Sequence, residues 1–182
     1  MVDLETCSTT PRAALLQAGW AVFDPAGEGV AHAQEFNVNI DSCMRLGGEV
    51  SDGTVRFWLD QPQEARASVA KAGVPVRYAL EQLVFEYNKT GCESIWSNGA
   101  TFDIVIIEHY MRALSIDPPW RFYQHRDTRT LWAVAEAKGG WRREKGVVAH
   151  TAMADCVAQV AAVQGAWRHL MKSTIVHRRP VD

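Results

Sequence analysis

Apolar and acidic residues alternate at the start of the chain, in the run Val2-Asp3-Leu4-Glu5. A period of two is typical of a strand that buries one face in a core. Two further runs with strand character follow closely. The three predicted strands lie near residues 1–6, 18–23 and 30–37.

A helical period takes over after Pro75, where apolar side chains recur on one face of an amphipathic helix. The stretch 41–55 before it is rich in glycine and polar residues, which predicts irregular structure. The remaining predictions are short helices near 54–59 and 63–70, a strand at 94–97, a helix at 102–114, a short strand at 120–124, and helices at 127–137 and 151–171. Three leading antiparallel strands followed by alternating helices and strands predict an α/β fold, a mixed sheet with flanking helices.

The composition is ordinary for one globular unit. The chain has 182 residues, of which 47% are hydrophobic and 22% charged, so it can bury a full core. We expect a single domain over 1–172 and a flexible tail over 173–182, where periodicity is lost. The net charge of −2 provides no overall basic field for duplex binding. Apolar runs are too short for a membrane span, so we expect a cytoplasmic protein.

The spacing of the cysteines bears on which metal sites and disulfide bonds the chain can form. Cys7, Cys43, Cys92 and Cys156 are scattered along the chain, without a Cys-x-x-Cys spacing. This pattern argues against a zinc site and against a disulfide framework.

Asp3 and Glu5 are the first candidate metal ligands, because side chains at positions i and i+2 of a strand point the same way. Two carboxylates held close together repel each other unless a cation joins them. Hard oxygen ligands of this kind suit Mg²⁺ or Mn²⁺. The alternative is a strand with a solvated acidic face.

Asp103, Asp155 and His150 each have an ordinary structural explanation. Both aspartates lie at the start of predicted helices, where the helix dipole favours acids. His150 lies just before the last helix, after a polar loop, and can be an ordinary surface residue. Their order along the chain, together with Asp3 and Glu5, favours a functional role over these structural explanations.

The motifs occur in the order Asp3-x-Glu5, Phe102-Asp103 and His150-x4-Asp155. This order resembles the three sequence blocks of the DEDDh 3′→5′ exonucleases, which have a ribonuclease H-like fold. Further segments look like the branch that joins phage-type exonucleases to the mycobacterial adenosine-specific exoribonuclease: Phe57-Trp58-Leu59-Asp60-Gln61, Glu64-Ala65-Arg66 and Arg126-Asp127-x-Arg129-Thr130. In one departure, Met1 stands only two residues before Asp3. Either the first strand is short, or the given start lies too late in the chain.

The resemblance implies two Mg²⁺ or Mn²⁺ ions. In the family pattern Asp3 bridges both ions, Glu5 and Asp155 complete the shell of the first, and Asp103 holds the second. His150 would be the general base that takes a proton from the attacking water, a task that the ordinary histidine pKa near 6.5 suits. Glu5 would also meet the 3′-terminal hydroxyl, which enforces attack at an end.

Four further residues are candidates for substrate binding. Trp58 and Phe102 can stack on terminal bases, because aromatic stacking tolerates any base. Core packing is the alternative for both. Arg126 and Arg129 can position phosphates, or can form a structural ion-pair network that fixes the following helix.

We therefore predict a metal-dependent 3′–5′ exonuclease that releases nucleoside 5′-monophosphates from single-stranded DNA or RNA 3′ ends. The alternative is a catalytically silent, nuclease-like module that binds nucleic-acid ends or a protein partner. An endonuclease is disfavoured by the His150-x4-Asp155 pattern. A symmetric homodimer is a further expectation, since relatives are commonly dimers and Trp120 and Trp141 lie in irregular stretches.

Overall fold

The computed structural model describes residues 1–143 and 151–172 of the chain. Its largest sheet is antiparallel, with strand order β1-β2-β3. In β1 the apolar side chains are buried and the two acids are only partly buried, so the predicted alternation is confirmed. All five residues of this short strand pair with β2. The strands are β1 Val2–Thr6, β2 Leu15–Val22 and β3 His32–Asn37.

The central strand β2 begins at Leu15, earlier than the predicted 18–23. Seven of its eight residues are buried, so no alternation marks its start. A strand covered on both faces reads as a continuous buried run rather than as a period of two.

Four helices lead from β3 to the second half of the chain. They are α1 Ile40–Met44, α2 Asp52–Leu59, α3 Gln63–Val69 and α4 Val76–Lys89. The prediction of irregular structure over 41–55 is wrong for α1, because the side chain of Asn39 caps that helix by accepting a hydrogen bond from the Ser42 backbone N–H at 2.9 Å. Ser51 caps α2 in the same way.

A second, parallel sheet pairs β4 Ile95–Ser97 with β5 His125–Asp127. The helices α5 Asp103–Ala113 and α6 Thr128–Ala137 follow these strands, and β4 packs beside β1. The predicted strand at 120–124 is wrong, because Phe122–Gln124 forms a 3-10 helix. The Gln124 side chain accepts a hydrogen bond from the Arg121 backbone N–H, which closes a turn where an extended strand was expected.

The last helix, α7 Ala152–Lys172, packs across β1 and β2. The contact is close at Gly19, where an added Cβ would lie 2.6 Å from the carbonyl carbon of Ala152. Glycine is therefore needed there for the helix to reach the sheet. The backbone N–H groups of Ala152 and Met153 donate to the side chains of Gln17 and Glu35, which cap the helix from the sheet.

These elements confirm a mixed α/β arrangement, while a ribonuclease H-like topology stays a prediction. Among the described helices, none combines the length and hydrophobicity that a membrane crossing requires. The tail predicted over 173–182 lies outside the described residues.

Candidate active site

The short strand β1 presents Asp3 and Glu5 on one face of the sheet, between the buried residues Val2 and Leu4. Asp3 lies opposite Gly19 in β2. Because opposed residues share a face of the sheet, the missing side chain at Gly19 lets α7 approach on the side of Asp3.

The helix α7 brings a third carboxylate to this face. Asp155 lies in its first turn, close to the capped N-terminus. Carboxylate oxygens of Asp3, Glu5 and Asp155 all lie within 4.8 Å of one another. The sequence places these residues at opposite ends of the chain, and the packing of α7 on β1 brings them together.

Asp103, the first residue of α5, lies against the same strand. Its Oδ1 accepts a hydrogen bond from the Leu4 backbone N–H at 3.1 Å, and only 4% of the residue is exposed. Its carboxylate does not join the tight group of three, yet burial and then the charge of Asp3 raise its pKa well above the ordinary value. Asp103 thus borders the group on the α5 side.

Burial and mutual repulsion leave the acids poorly stabilised as anions. Burial raises the pKa of Asp3 to about 7, although a hydrogen bond from Gln159 opposes the rise and Asp155 adds to it. Burial raises the pKa of Glu5 to about 8, with further contributions from Asp3, Asp155 and other nearby acids. Without a cation, this cluster favours protonated carboxyl groups near neutral pH.

The donor set fits a hard divalent cation. Three convergent carboxylates, with a fourth beside them, offer the oxygen ligands that Mg²⁺ and Mn²⁺ prefer. A bound cation would also remove the repulsion that raises these pKa values. The same donors could not form a thiolate or imidazole site for zinc.

An open groove of about 500 Å³ begins at the acidic cluster. Glu5 lines both the groove and the cluster, so the groove leads directly to the carboxylates. Trp58, Phe57 and Phe102 form its aromatic part. The hydroxyl-bearing residues of the groove are Thr6, Thr9, Ser51 and Thr54.

The two aromatic candidates pack against the core and also line the groove, while their stacking on bases stays a prediction. Trp58 and Phe102 are partly buried and pack against the main core. The indole N–H of Trp58 donates to the Thr6 carbonyl oxygen at 2.9 Å, which fixes the ring at the groove. Core packing therefore holds these rings in place without removing them from the groove.

The two arginine candidates lie in different surroundings. Arg129 donates from Nε to Asn98 Oδ1 at 3.0 Å, and its charge acts on Asp103. Arg126 donates to the carbonyl oxygens of Tyr123 and His125. Arg129 is therefore the arginine near the acids, and a role of either residue in substrate binding stays a prediction.

The predicted general base, His150, lies outside the described residues. The next residue, Thr151, is described, and its hydroxyl caps α7 by accepting a hydrogen bond from the Ala154 backbone N–H at 3.4 Å. The described part of the site therefore ends within one residue of His150.

Two residues near the acids were not anticipated from the sequence. Gln159 donates a hydrogen bond to Asp3, and Glu35 lies near enough to raise the pKa of Glu5 while capping α7 at Met153. The spacing of Gln159, four residues after Asp155 on one helical face, is a signal that could have found it. Glu35 depends on strand pairing, for which local spacing gives no signal.

The metal-free protein is expected to lose stability as the pH rises from about 4 to about 8, between the unfolded-state and folded-state pKa values of Asp3 and Glu5. The folded-state pKa values of Asp3 and Glu5, about 7 and about 8, lie above those of an unfolded chain. Protonated carboxyls thus favour the folded state at low pH, and this stabilisation is lost as the pH rises through both values. For each extra proton bound by the folded state, the free energy of unfolding falls by about 1.4 kcal/mol per pH unit. Urea unfolding in EDTA measures this slope.

The reference for this measurement is the double variant Asp3→Asn, Glu5→Gln. The variant retains the buried Met1 amino group. Burial lowers the pKa of this group to about 6, so its titration makes the protein more stable as the pH rises. The stability of the wild type minus that of the variant should fall with rising pH. A difference independent of pH would show that the two acids do not share a buried site.

Comparison with known proteins agrees with this arrangement. A family model described as the 3′-5′ exoribonuclease Rv2179c-like domain matches residues 1–167, which include all four acids and His150. No curated protein matches the chain. Because the family model covers most of the sequence, the chain belongs to the Rv2179c-like 3′–5′ exoribonuclease domain family and is a 3′–5′ exonuclease.

Proposed function

We propose that this exonuclease removes nucleoside 5′-monophosphates from the 3′ ends of single-stranded RNA at the cluster of Asp3, Glu5, Asp103 and Asp155. The observation that carries the proposal is the convergence of three carboxylates from the two ends of the chain, with Asp103 beside them. The family description names an exoribonuclease, which favours RNA over DNA. It also favours an enzyme over a silent binding module.

The four acids would hold two Mg²⁺ or Mn²⁺ ions. Asp3, Glu5 and Asp155 would bind one ion through their convergent oxygens, and Asp103 would bind the other, with Asp3 shared between them. Such ions, when bound, supply positive charge at the scissile phosphate and activate water at neutral pH. The carboxylates would then remain ionised at pH values where burial alone would protonate them.

The groove would hold the terminal nucleoside. Glu5 belongs to both the groove and the acidic cluster, so a base in the groove would place its 3′ hydroxyl and phosphate near the acids. Trp58 and Phe102 would stack on the base without selecting its sequence. Contact between Glu5 and the terminal hydroxyl would restrict cleavage to chain ends.

His150 and Arg129 would complete the reaction. His150, just before α7, would take a proton from the attacking water, a task that suits the ordinary pKa of a histidine. Arg129 lies near Asn98 and Asp103, where its guanidinium can contact a phosphate of the substrate. The structure supports Arg126 less, because its Nη1 group donates to the local carbonyl oxygens of Tyr123 and His125.

The homodimer stays a prediction, and the positions of Trp120 and Trp141 in the structure give it less support than the sequence did. Trp120 is buried in the core of the chain, where it donates to Glu108 at 2.8 Å. Trp141 packs against the cluster between α6 and α7. Neither ring is thus a free interface residue, and light scattering would measure the oligomeric state directly.

The proposal predicts that single-stranded RNA carrying a 5′ label is shortened one nucleotide at a time in Mn²⁺. EDTA should abolish the reaction, because the acids need a cation to act on a phosphate. The measurement is a time course on a sequencing gel, with chromatography of the released mononucleotides.

Matched substrates provide the controls for this assay. A DNA strand of the same sequence measures sugar preference, and faster cleavage of DNA would overturn the choice of RNA. A circular RNA should remain intact, because it has no 3′ end. Cleavage of the circle, or cleavage in EDTA, would contradict the proposed reaction.

A further inference from the structure

Gln159 lies one helical turn after Asp155 on α7, facing the strand that carries Asp3. Only 5% of this residue is exposed. Its Nε2 donates a hydrogen bond to Asp3 Oδ1 at 2.7 Å. The helix that supplies one acid of the cluster therefore also holds another acid by a direct hydrogen bond.

The other end of the same amide is unsatisfied. Gln159 Oε1 is buried and accepts no hydrogen bond from the described part of the protein. A buried polar atom without a partner costs stability, and an apolar side chain of similar size would avoid this cost. Packing alone therefore does not explain an amide at this position, whereas the bond to Asp3 does.

Gln164 on the same helix is a useful comparison, because its hydrogen bonds serve only to hold the structure together. It is 2% exposed, and both ends of its amide are bonded. Nε2 donates to the carbonyl oxygens of Asp24 and Gly29, and Oε1 accepts from the Gly29 backbone N–H. Gln164 thus ties a loop to α7, while Gln159 has a single bonded partner, which is an acid of the site.

We propose that Gln159 is a positioning residue that orients the Asp3 carboxylate for binding a divalent cation. The hydrogen bond occupies one lone pair of Oδ1 and restrains rotation of the carboxylate, which leaves its remaining lone pairs for the cation. Partners of this kind orient metal-binding carboxylates and strengthen their sites. The inference rests on the proposed metal site.

The test is calorimetric titration with Mn²⁺ alone, in the absence of RNA. Gln159→Met keeps the approximate side-chain volume and lacks the donor, and Gln159→Asn keeps an amide that is too short to reach Asp3. Both should raise the Mn²⁺ dissociation constant by roughly 10–100-fold. The control Gln164→Met should lose stability and keep the wild-type dissociation constant.

Kinetics on RNA provide a second readout. At limiting Mn²⁺, both Gln159 variants should lose activity with little change in KM for RNA, and added Mn²⁺ should restore part of the rate. The control Gln164→Met should show no such dependence on Mn²⁺. A purely structural role of Gln159 would affect all three variants alike.

The outcomes separate this inference from the proposed function. A wild type that binds no Mn²⁺ would overturn the metal site and this role with it. A wild type that binds Mn²⁺, together with Gln159 variants of unchanged affinity, would overturn the role of Gln159 alone. Should Gln159→Met fail to fold, Gln159→Asn decides the question on the same titration.

Discussion

Replacing His150 with alanine should slow RNA hydrolysis by roughly 10²–10⁴-fold, the usual range for a general base. The imidazole would accept a proton from the attacking water, and alanine cannot. Mn²⁺ binding should be unchanged, because in the proposed site the four acids would supply the ligands. Single-turnover rates measured against pH should also show the wild-type rate falling below about 6.5, where the imidazole becomes protonated.

His32→Ala is the matched control for this variant. The His32 side chain is 45% exposed and lies in β3, where it faces Glu86 rather than the acidic cluster. Its removal should leave the rate unchanged. Added imidazole should restore part of the activity of His150→Ala and none to the control. A His150→Ala enzyme with most of its rate would show that the base lies elsewhere.

Much of the fold can be predicted from the periodicity of the chain. The alternation in β1 and the helical spacing after Pro75 both correspond to observed elements. The errors have physical causes. The start of β2 is concealed because nearly the whole strand is buried. The turn at Phe122–Gln124 depends on the side chain of Gln124, which accepts from the Arg121 backbone N–H and donates to the Glu93 carbonyl oxygen.

The convergence of the acids of the candidate site can be predicted, because strand geometry and motif order constrain them. Asp3 and Glu5 share a face by the period of the strand, and Asp155 follows from its motif. Gln159 and Glu35 are different, since their roles depend on how α7 crosses the sheet at Gly19. Tertiary contacts of this kind leave little trace in local sequence patterns.

The surroundings of the two arginines also could not be predicted from local sequence patterns. Arg126 and Arg129 belong to one motif, and the sequence gives no reason to separate them. In the structure Arg126 donates to neighbouring carbonyl oxygens, whereas Arg129 reaches Asn98 and acts on Asp103. The difference comes from the end of β5 at Asp127, because Arg126 lies within the strand whereas Arg129 lies in the first turn of α6.

Glu5→Gln should have opposite effects on metal-free stability and on activity. Removing the charge relieves repulsion from Asp3, Asp155 and Asp103 and the burial of an anion, so the metal-free protein should gain about 1–3 kcal/mol at neutral pH. For a chain of this size that corresponds to a rise of about 2–10 °C in melting temperature. Loss of a metal ligand should reduce the rate by about 10³-fold.

Calorimetric melting with and without Mn²⁺ measures both stability effects. A cation that binds only the folded wild type at about 100 times its dissociation constant adds about 2.7 kcal/mol, and this shift should shrink in Glu5→Gln. Asp52→Asn is the control, because the side chain of Asp52 is 79% exposed, pairs with Arg56 and is not among the converging acids.

That control should change neither the metal-free melting temperature nor the Mn²⁺ shift, since exposed substitutions usually alter stability by less than about 0.5 kcal/mol. If Glu5 only stabilised the fold, Glu5→Gln would instead lower the metal-free melting temperature. Such a decrease, or a Mn²⁺ shift as large as in the wild type, would contradict a cation site at Glu5. Higher stability together with lost activity is the result that only a functional cluster of repelling carboxylates explains.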